Sequence, residues 1–333
     1  MKNNKKVLVI VPAYNEAENI VKTVEDIKKN AKDVDYIVVN DGSKDNTALI
    51  AQEYCQKHPT LFRLVQKENG GHGSTINTAI KIAQGKYFRP VDGDDAVQSE
   101  NVDILIETLK KIESNAVVCD YIIRNMPMEN KETRTFPCLA KDSENFFNEA
   151  NNWQSTFPFH AIIFKTEILT KNNIAMTENC FYEDSEYSLY PIPFCNSVYY
   201  NPHPVYIYTL GSDNQSVSFQ NVIRHIYDQE AILKKLFAFY SFHENDENNF
   251  YYKKRIFEVL NFYYKATMKK EWYKNKELQK RKRHFFNELY LINKNLFLEY
   301  VSQTKLRKIQ YKTGYYMDRF FLLIYNKLKK QQT

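Results

Sequence analysis

Near-continuous apolar runs alternate with amphipathic stretches through the first two thirds of this chain. Residues 7–12, 34–40, 61–66, 86–91 and 116–124 are rich in Val, Ile, Leu, Tyr and Phe and read as strands buried on both faces. Between them, over 16–30, 45–57, 73–84 and 100–113, apolar residues recur every three or four positions, the period of a helix with one buried face. Strand and helix units of this length predict an α/β fold with a mostly parallel sheet flanked by helices and right-handed crossovers. Asn15 or Asp45 ahead of a helix supplies an N-cap. Residues 125–150, polar and interrupted by Pro127 and Pro137, read as an irregular loop reaching over a site. Ala161-Ile-Ile-Phe164 then reads as a further buried strand, with Thr166 opening a short helix.

Past Val217 the pattern becomes long, aromatic and Lys-rich, with helical spacing over 249–270 and 274–300 and an Asn-rich loop at 244–249. The expected division is 1–218, an α/β domain, and 219–333, a helical, basic and aromatic region. Net charge differs in sign between the two: residues 220–333 hold 24 Lys+Arg against 11 Asp+Glu, leaving 22 against 29 in the first 219. Lys280-Arg-Lys-Arg283, flanked by Trp272, Tyr273, Phe285 and Phe286, fits either peripheral contact with an anionic membrane or a solvated helix face over an aromatic core. Nucleic acid ranks last and is not expected as a partner. Five cysteines without a Cys-x-x-Cys pair suggest neither a disulfide nor a zinc framework, as for reduced thiols in the cytoplasm. The first apolar run gives way to Tyr14-Asn15-Glu16 and reads as a core strand, not a signal peptide, and no stretch approaches the roughly 20 apolar residues that span a bilayer.

Three of the strands end in polar residues. Val11-Pro-Ala-Tyr-Asn-Glu16 and Asp41-Gly-Ser-Lys-Asp-Asn-Thr47 follow the first two, and Val91-Asp-Gly-Asp-Asp95 sets three carboxylates around one glycine. Like charges so close call for a hard divalent cation or a donor-rich ligand, and the carboxyl edge of an open α/β sheet is where ligands bind. With Asn69-Gly-Gly-His-Gly-Ser-Thr-Ile-Asn77, these motifs resemble, in order and spacing, those of family 2 glycosyltransferases with the GT-A fold, of bacterial surface-glycan type. The resemblance covers residues 5–215.

The resemblance implies a UDP-sugar donor, with the backbone of Pro12 and Ala13 and the ring of Tyr14 lining the base pocket and Asp41 accepting from the uracil imide N–H. Glu16, Asn69, Gly71, Asp92 and Gly93 are further donor contacts, and Asp94, with Asp92, is the expected ligand of Mn²⁺ or Mg²⁺. Glu16 is equally suited to a helix N-terminus, and the Gly70–Gly73 loop to a tight strand-to-helix turn. His72 either touches the donor or makes local hydrogen bonds, and His160 either lines the acceptor side or sits at an edge. Cys180-Phe-Tyr-Glu-Asp-Ser-Glu-Tyr187 resembles the family segment carrying the general base, Asp184 or, in competition, Glu183. Gln215 and Ser216 lie where a polar loop closes over the diphosphate, without the Arg or Lys of a cationic clamp. The acceptor implied is a hydroxyl of a glycan or lipid-linked molecule in surface polysaccharide synthesis, reached from the inner face of the membrane, with inversion at the sugar. Two other classes stay open: a non-catalytic glycosyltransferase-like binding or scaffold module, and a nucleotidyltransferase, although a Lys-containing Gly-rich loop is absent after Val11.

Overall fold

The computed structural model describes residues 7–18, 20, 21, 24, 25, 34–126, 128, 130–147, 156–211, 218–269 and 275–315. Most of the helix expected over 16–30 lies outside the described residues, as do Gln215, Ser216, Trp272 and Tyr273. The chain divides into two compact units, 1–216 and 217–333.

In the first unit, β1 (Val7–Ala13) pairs in parallel with β2 (Val34–Asp41), Val7 level with Val34 and Ala13 with Asn40. Helix α1 (Thr47–Lys57) leads to β3 (Phe62–Lys67), parallel to β2, and α2 (His72–Ile82) leads to β4 (Tyr87–Pro90), parallel to β1. The order β3-β2-β1-β4 is all parallel, so the strand ends at Ala13, Asp41, Lys67 and Pro90 share one edge. Asp45 tightens that edge: one of its carboxylate oxygens accepts from Thr47 N at the start of α1 (3.0 Å) and the other from Ala17 N (3.2 Å). It acts as the cap expected of it, one residue ahead of Asn46, whose side chain makes no cap bond.

Beyond β4 the sheet becomes mixed. After β5 (Ala96–Val97) and α3 (Ser99–Lys111) comes β6 (Ala116–Asn125), followed by β7 (Asn130–Arg134) and β8 (Ser143–Phe146). Strand β9 (Ile162–Lys165) lies antiparallel between β4 and β6 and leads into α4 (Thr166–Lys171). After the four-residue α5 (Asp184–Tyr187), β10 (Ser197–Leu210) runs parallel to β6, with a register shift between Asn201 and Tyr206. Val11, Val38, Ile106, Val117, Ile163 and Tyr206 belong to one core cluster that fills this unit.

Residues 125–150 are therefore not the wholly irregular loop expected of them, since β7 extends antiparallel along β6 and β8 along β10. Every residue of β7 is exposed, so its Asn-Lys-Glu-Thr-Arg sequence carries no alternation. Backbone pairing to a strand already fixed by the core is what orders it.

The second unit is helical: α6 (Phe219–Arg224), α7 (Ile226–His243), α8 (Asn249–Thr267), α9 (Lys276–Ile292), α10 (Lys294–Ser302) and α11 (Lys305–Lys312). The single helix expected over 274–300 breaks at Asn293, whose side chain caps α10 by accepting from Leu296 N at 2.9 Å. Phe237, Tyr252, Tyr263, Phe285, Phe286 and Tyr300 are buried in its interior. The basic quartet 280–283 is not a surface patch. Arg281 forms a two-pronged ion pair with the buried Glu230 and stacks over Tyr227, while Lys282 is 1% exposed among the rings of Tyr264, Phe286 and Tyr315. Two of the four charges therefore face inward, as do Phe285 and Phe286. Among the described residues no helix is long and apolar enough to cross a membrane.

Candidate active site

The carboxyl edge of β1–β4 gathers the polar strand ends. Behind β1, Asn15 N donates to Ser43 Oγ (2.9 Å), Glu16 N to Thr47 Oγ1 (2.8 Å) and Lys44 N to Asn15 Oδ1 (2.9 Å), so the loops after β1 and β2 brace each other. Pro12 and Ala13 are buried beneath them, and Tyr14 is exposed. Gly93 sits against the same loop. A Cβ there would stand 3.1 Å from the Pro12 carbonyl oxygen and 3.2 Å from Glu16 Cγ, so the absent side chain lets the acidic turn approach β1.

Asp41, at the end of β2, is 2% exposed. Its Oδ1 accepts from Lys67 Nζ (2.5 Å), Gly70 N (3.0 Å) and Ser74 Oγ (3.3 Å), while Oδ2 engages none of these donors. Lys67, the last residue of β3, has no counterpart among the residues expected to act here. The signal was present, since β3 ends in a polar residue on the same edge as its neighbours.

Asn69 is exposed, and Gly71 precedes His72 at the start of α2. The glycines of this loop admit the 176–183 segment: a Cβ on Gly73 would lie 2.3 Å from the Thr177 carbonyl oxygen, and Asn179 N donates to Gly70 O at 2.6 Å. Asn77 bonds Met176 through both amide atoms, Met176 N donating to Oδ1 (2.7 Å) and Nδ2 donating to Met176 O (2.9 Å). Helix α2 and the loop leading to Asp184 are thereby one piece.

His72 occupies the centre. Its Nε2 lies 2.9 Å from Asp92 Oδ1 and its Nδ1 2.6 Å from Glu183 Oε1. Burial alone would lower the pKa of the ring, yet the charges of Asp92 and Glu183 and the hydrogen bonds to both hold it well above the ordinary value. Burial likewise works to raise the Asp92 carboxyl, but His72 holds it below the usual carboxylate range. Asp94, exposed at the turn, is raised by desolvation and by the charge of Asp92. Asp95 has a different occupation: its oxygens accept from Tyr206 OH and Thr209 N, both at 2.7 Å, and Tyr206 OH also accepts from Asp92 N (3.1 Å). The third carboxylate of the cluster therefore fastens the turn to β10.

Glu183 is 3% exposed, and burial, opposed by His72 and reinforced by the charge of Asp184, raises its pKa. Glu186, 1% exposed, accepts from Thr177 N (2.6 Å), Thr177 Oγ1 (2.8 Å) and Tyr190 OH (3.1 Å) and is an anchor. Asp184 is half-buried at the start of α5. Burial first, then the charges of Asp95, Asp184, Asp92 and Asp94, push the Tyr208 hydroxyl far up. His160 stacks on Tyr208 with ring centres 4.1 Å apart, and its carbonyl accepts from the buried Arg89 (2.5 Å). His72 thus joins Asp92 to Glu183, and Asp41 bonds Gly70 and Ser74 on either side of that histidine. Tyr206 carried no sequence signal, because an aromatic residue in a strand is ordinary core.

Among the described residues no three His, Cys, Asp or Glu side chains form a ready-made ion cage. Asp92 and Asp94 nevertheless fit a hard divalent cation whose remaining ligands are phosphate and water oxygens, because two mutually repelling carboxylates offer it oxygen donors alone.

A mixed α/β sheet with its polar edge over a parallel β3-β2-β1-β4 core is the GT-A fold of nucleotide-sugar transferases. Residues 8–171, just under half of the chain, match the model of the family described as "Glycosyl transferase family 2". The chain is 30% identical over 186 residues to an uncharacterized glycosyltransferase, RP339, of Rickettsia prowazekii, with 55% of each chain covered; the chain thus spans about half the length of that relative. It is 26% identical over 285 residues to the cholesterol galactosyltransferase of Borreliella burgdorferi, covering 79% of this chain and 75% of the relative. Among solved structures, residues 1–349 of S. aureus TarS in complex with UDP superimpose with a TM-score of 0.68 at 17% identity, covering 98% of this chain and 92% of that one.

Proposed function

We propose that this chain transfers a sugar from a UDP-sugar to a hydroxyl of a glycan or lipid-linked acceptor, with inversion and with the help of Mn²⁺ or Mg²⁺. The observation that supports this reading is that His72 bonds Asp92 of the acidic turn and Glu183, the residue before Asp184, so the expected cation-binding turn and the expected base segment lie at one place. UDP as the nucleotide carrier is supported by the UDP complex of the TarS structure and by Asp41, whose carboxylate can accept from an imide N–H that cytosine lacks.

In the proposed reaction Pro12, Ala13 and Tyr14 hold the base, Asp41 accepts from its imide, and Glu16, Asn69, Gly71, Asp92 and Gly93 line the ribose and diphosphate. Asp94 and Asp92 would hold the cation, which supplies charge neutralisation for the departing diphosphate. Asp184 takes the acceptor hydroxyl proton while the oxygen forms its bond to the sugar C1 from the face opposite the diphosphate. The C1–O bond breaks with its electron pair remaining on the phosphate oxygen, so UDP leaves and the anomeric configuration inverts. Glu183, buried against His72, is less suited to meet a hydroxyl. Surface polysaccharide synthesis at the inner face of the membrane is the setting proposed.

The test is turnover of a panel of UDP-sugars with and without Mn²⁺, read as UDP release. Release for at least one sugar that depends on the metal and on an added glycan or lipid-linked acceptor is expected. Equal release in EDTA, or preference for a CDP- or GDP-sugar, overturns it.

A further inference from the structure

We propose that His72 is a positioning residue: it locks the donor-side carboxylate Asp92 to the segment carrying Asp184, a role that rests on the transfer reaction above. His72 is the first residue of α2, and this helix is immobilised by the paired amide bonds of Asn77 to Met176. The imidazole therefore projects from a fixed base. One ring nitrogen meets Asp92 Oδ1 at 2.9 Å and the other meets Glu183 Oε1 at 2.6 Å, and Phe159 stands edge-on 5.8 Å away. The Glu183 side chain is 4% exposed, so water is a poor substitute for the ring as its partner.

What holds Glu183 also holds Asp184. The Glu183 carbonyl accepts from Glu186 N (2.8 Å) and Tyr187 N (3.2 Å), setting the first turn of α5 directly from the residue that His72 grips. Just before it, Tyr182 adopts φ 71°, left-handed backbone that a bulky side chain disfavours. Such a turn persists only when its surroundings impose it. Here those surroundings include the Thr177 bonds to Glu186 and the His72 bond to Glu183. A ring bonding at opposite edges can tie two carboxylates at once. Gln offers an N–H on one side only, and Ala leaves Asp92 and Glu183 with nothing between them.

The test uses the full chain with H72A, H72Q and H72G, the last with and without added imidazole. Three quantities are measured: UDP affinity by calorimetry in Mn²⁺, kcat and KM with a UDP-sugar that the unaltered protein turns over, and hydrogen exchange of residues 179–190 in the ligand-free protein. The expected result for H72A and H72Q is a kcat loss of roughly 10- to 100-fold with donor affinity changed by no more than about 3-fold. Exchange over 179–190 should accelerate while β1–β4 stay protected, and imidazole should restore part of the turnover to H72G alone. If H72A fails to fold, D92A, which removes the other end of the link from the acidic turn, should also accelerate exchange over 179–190. A kcat within about 2-fold of the unaltered protein, or unchanged exchange over 179–190, overturns the lock. Failure of the unaltered protein to turn over any UDP-sugar would instead overturn the transfer reaction, and the exchange data would still decide the role of His72.

Discussion

Lys67 Nζ lies 2.5 Å from Asp41 Oδ1, joining the ends of β3 and β2 through a carboxylate that is 2% exposed. A buried charge is tolerable only when paired and hydrogen-bonded, and Gly70 N and Ser74 Oγ complete the set. K67M should lower stability by about 1–3 kcal/mol, toward the smaller figure because Lys67 is partly exposed, measured by urea unfolding. D41N should weaken UDP binding roughly 10-fold or more while leaving the fold intact, because an amide cannot match a carboxylate at the imide. UDP affinity unchanged in calorimetry would remove Asp41 from the base pocket.

Asp94 is the exposed carboxylate of the acidic turn, and its neighbour Asp92 is already engaged by His72. D94A should abolish the gain in UDP affinity that Mn²⁺ or Mg²⁺ confers, leaving metal-independent binding in place. Titrations in Mn²⁺ and in EDTA that coincide for D94A but differ for the unaltered protein are the expected pattern. A persistent difference would place the cation elsewhere.

The elements that sequence alone reveals are those whose burial is written into local pattern. Strands β1, β2, β6 and β9 are apolar runs, and α3 has helical periodicity, so each lies within a few residues of its expected bounds. Strand β7 was not legible because it is exposed throughout and exists through its partner. The acidic turn was legible as a cluster, yet the division of labour within it was not: Asp95 differs from Asp94 only through Tyr206 and Thr209, more than 100 residues away. The same holds for His72, whose contact with Glu183 spans 111 positions. In the second unit, charge suggested a surface, but Arg281 and Lys282 face Glu230 and aromatic rings that a linear count cannot locate.

Tyr206 OH serves two masters, donating to Asp95 Oδ2 at 2.7 Å and accepting from Asp92 N at 3.1 Å. Y206F leaves the ring in the core but strips a donor from a buried carboxylate. The expected cost is about 1–3 kcal/mol in urea unfolding, a buried acceptor losing one of its partners. Turnover should fall as well, since the Asp92 amide loses its acceptor and the turn loosens. Unchanged stability would mean that Thr209 N alone satisfies Asp95.

Glu113 bridges Lys86, just before β4, and Lys165 at the end of β9, where the sheet changes from parallel to antiparallel. Hydrogen bonds to the two lysines lower its carboxyl from 4.5 to about 2. With the folded value depressed, its stabilisation is present above pH 4.5 and is lost as the pH falls toward 2. E113Q should therefore flatten the acid side of the stability profile in that window while changing little at higher pH in high salt, where an exposed pair is screened. A steeper acid limb in E113Q would reverse this assignment.

Asp184 and Glu183 are adjacent, and the structure gives them unequal exposure. Glu183 is nearly sealed, its Oε1 held 2.6 Å from the His72 ring, whereas Asp184 is half-buried. A base must reach the hydroxyl it deprotonates, so D184N should reduce kcat by roughly 10²- to 10⁴-fold. UDP affinity should stay within about 2-fold, because the base is used in the transition state and not in holding the nucleotide. E183Q keeps an oxygen for His72 and should cost far less. Rapid-quench turnover with saturating donor, read beside calorimetry on the same samples, separates the two. Collapse in E183Q with near-normal turnover in D184N would transfer the proton-accepting role to Glu183 and make its contact with His72 part of the proton path.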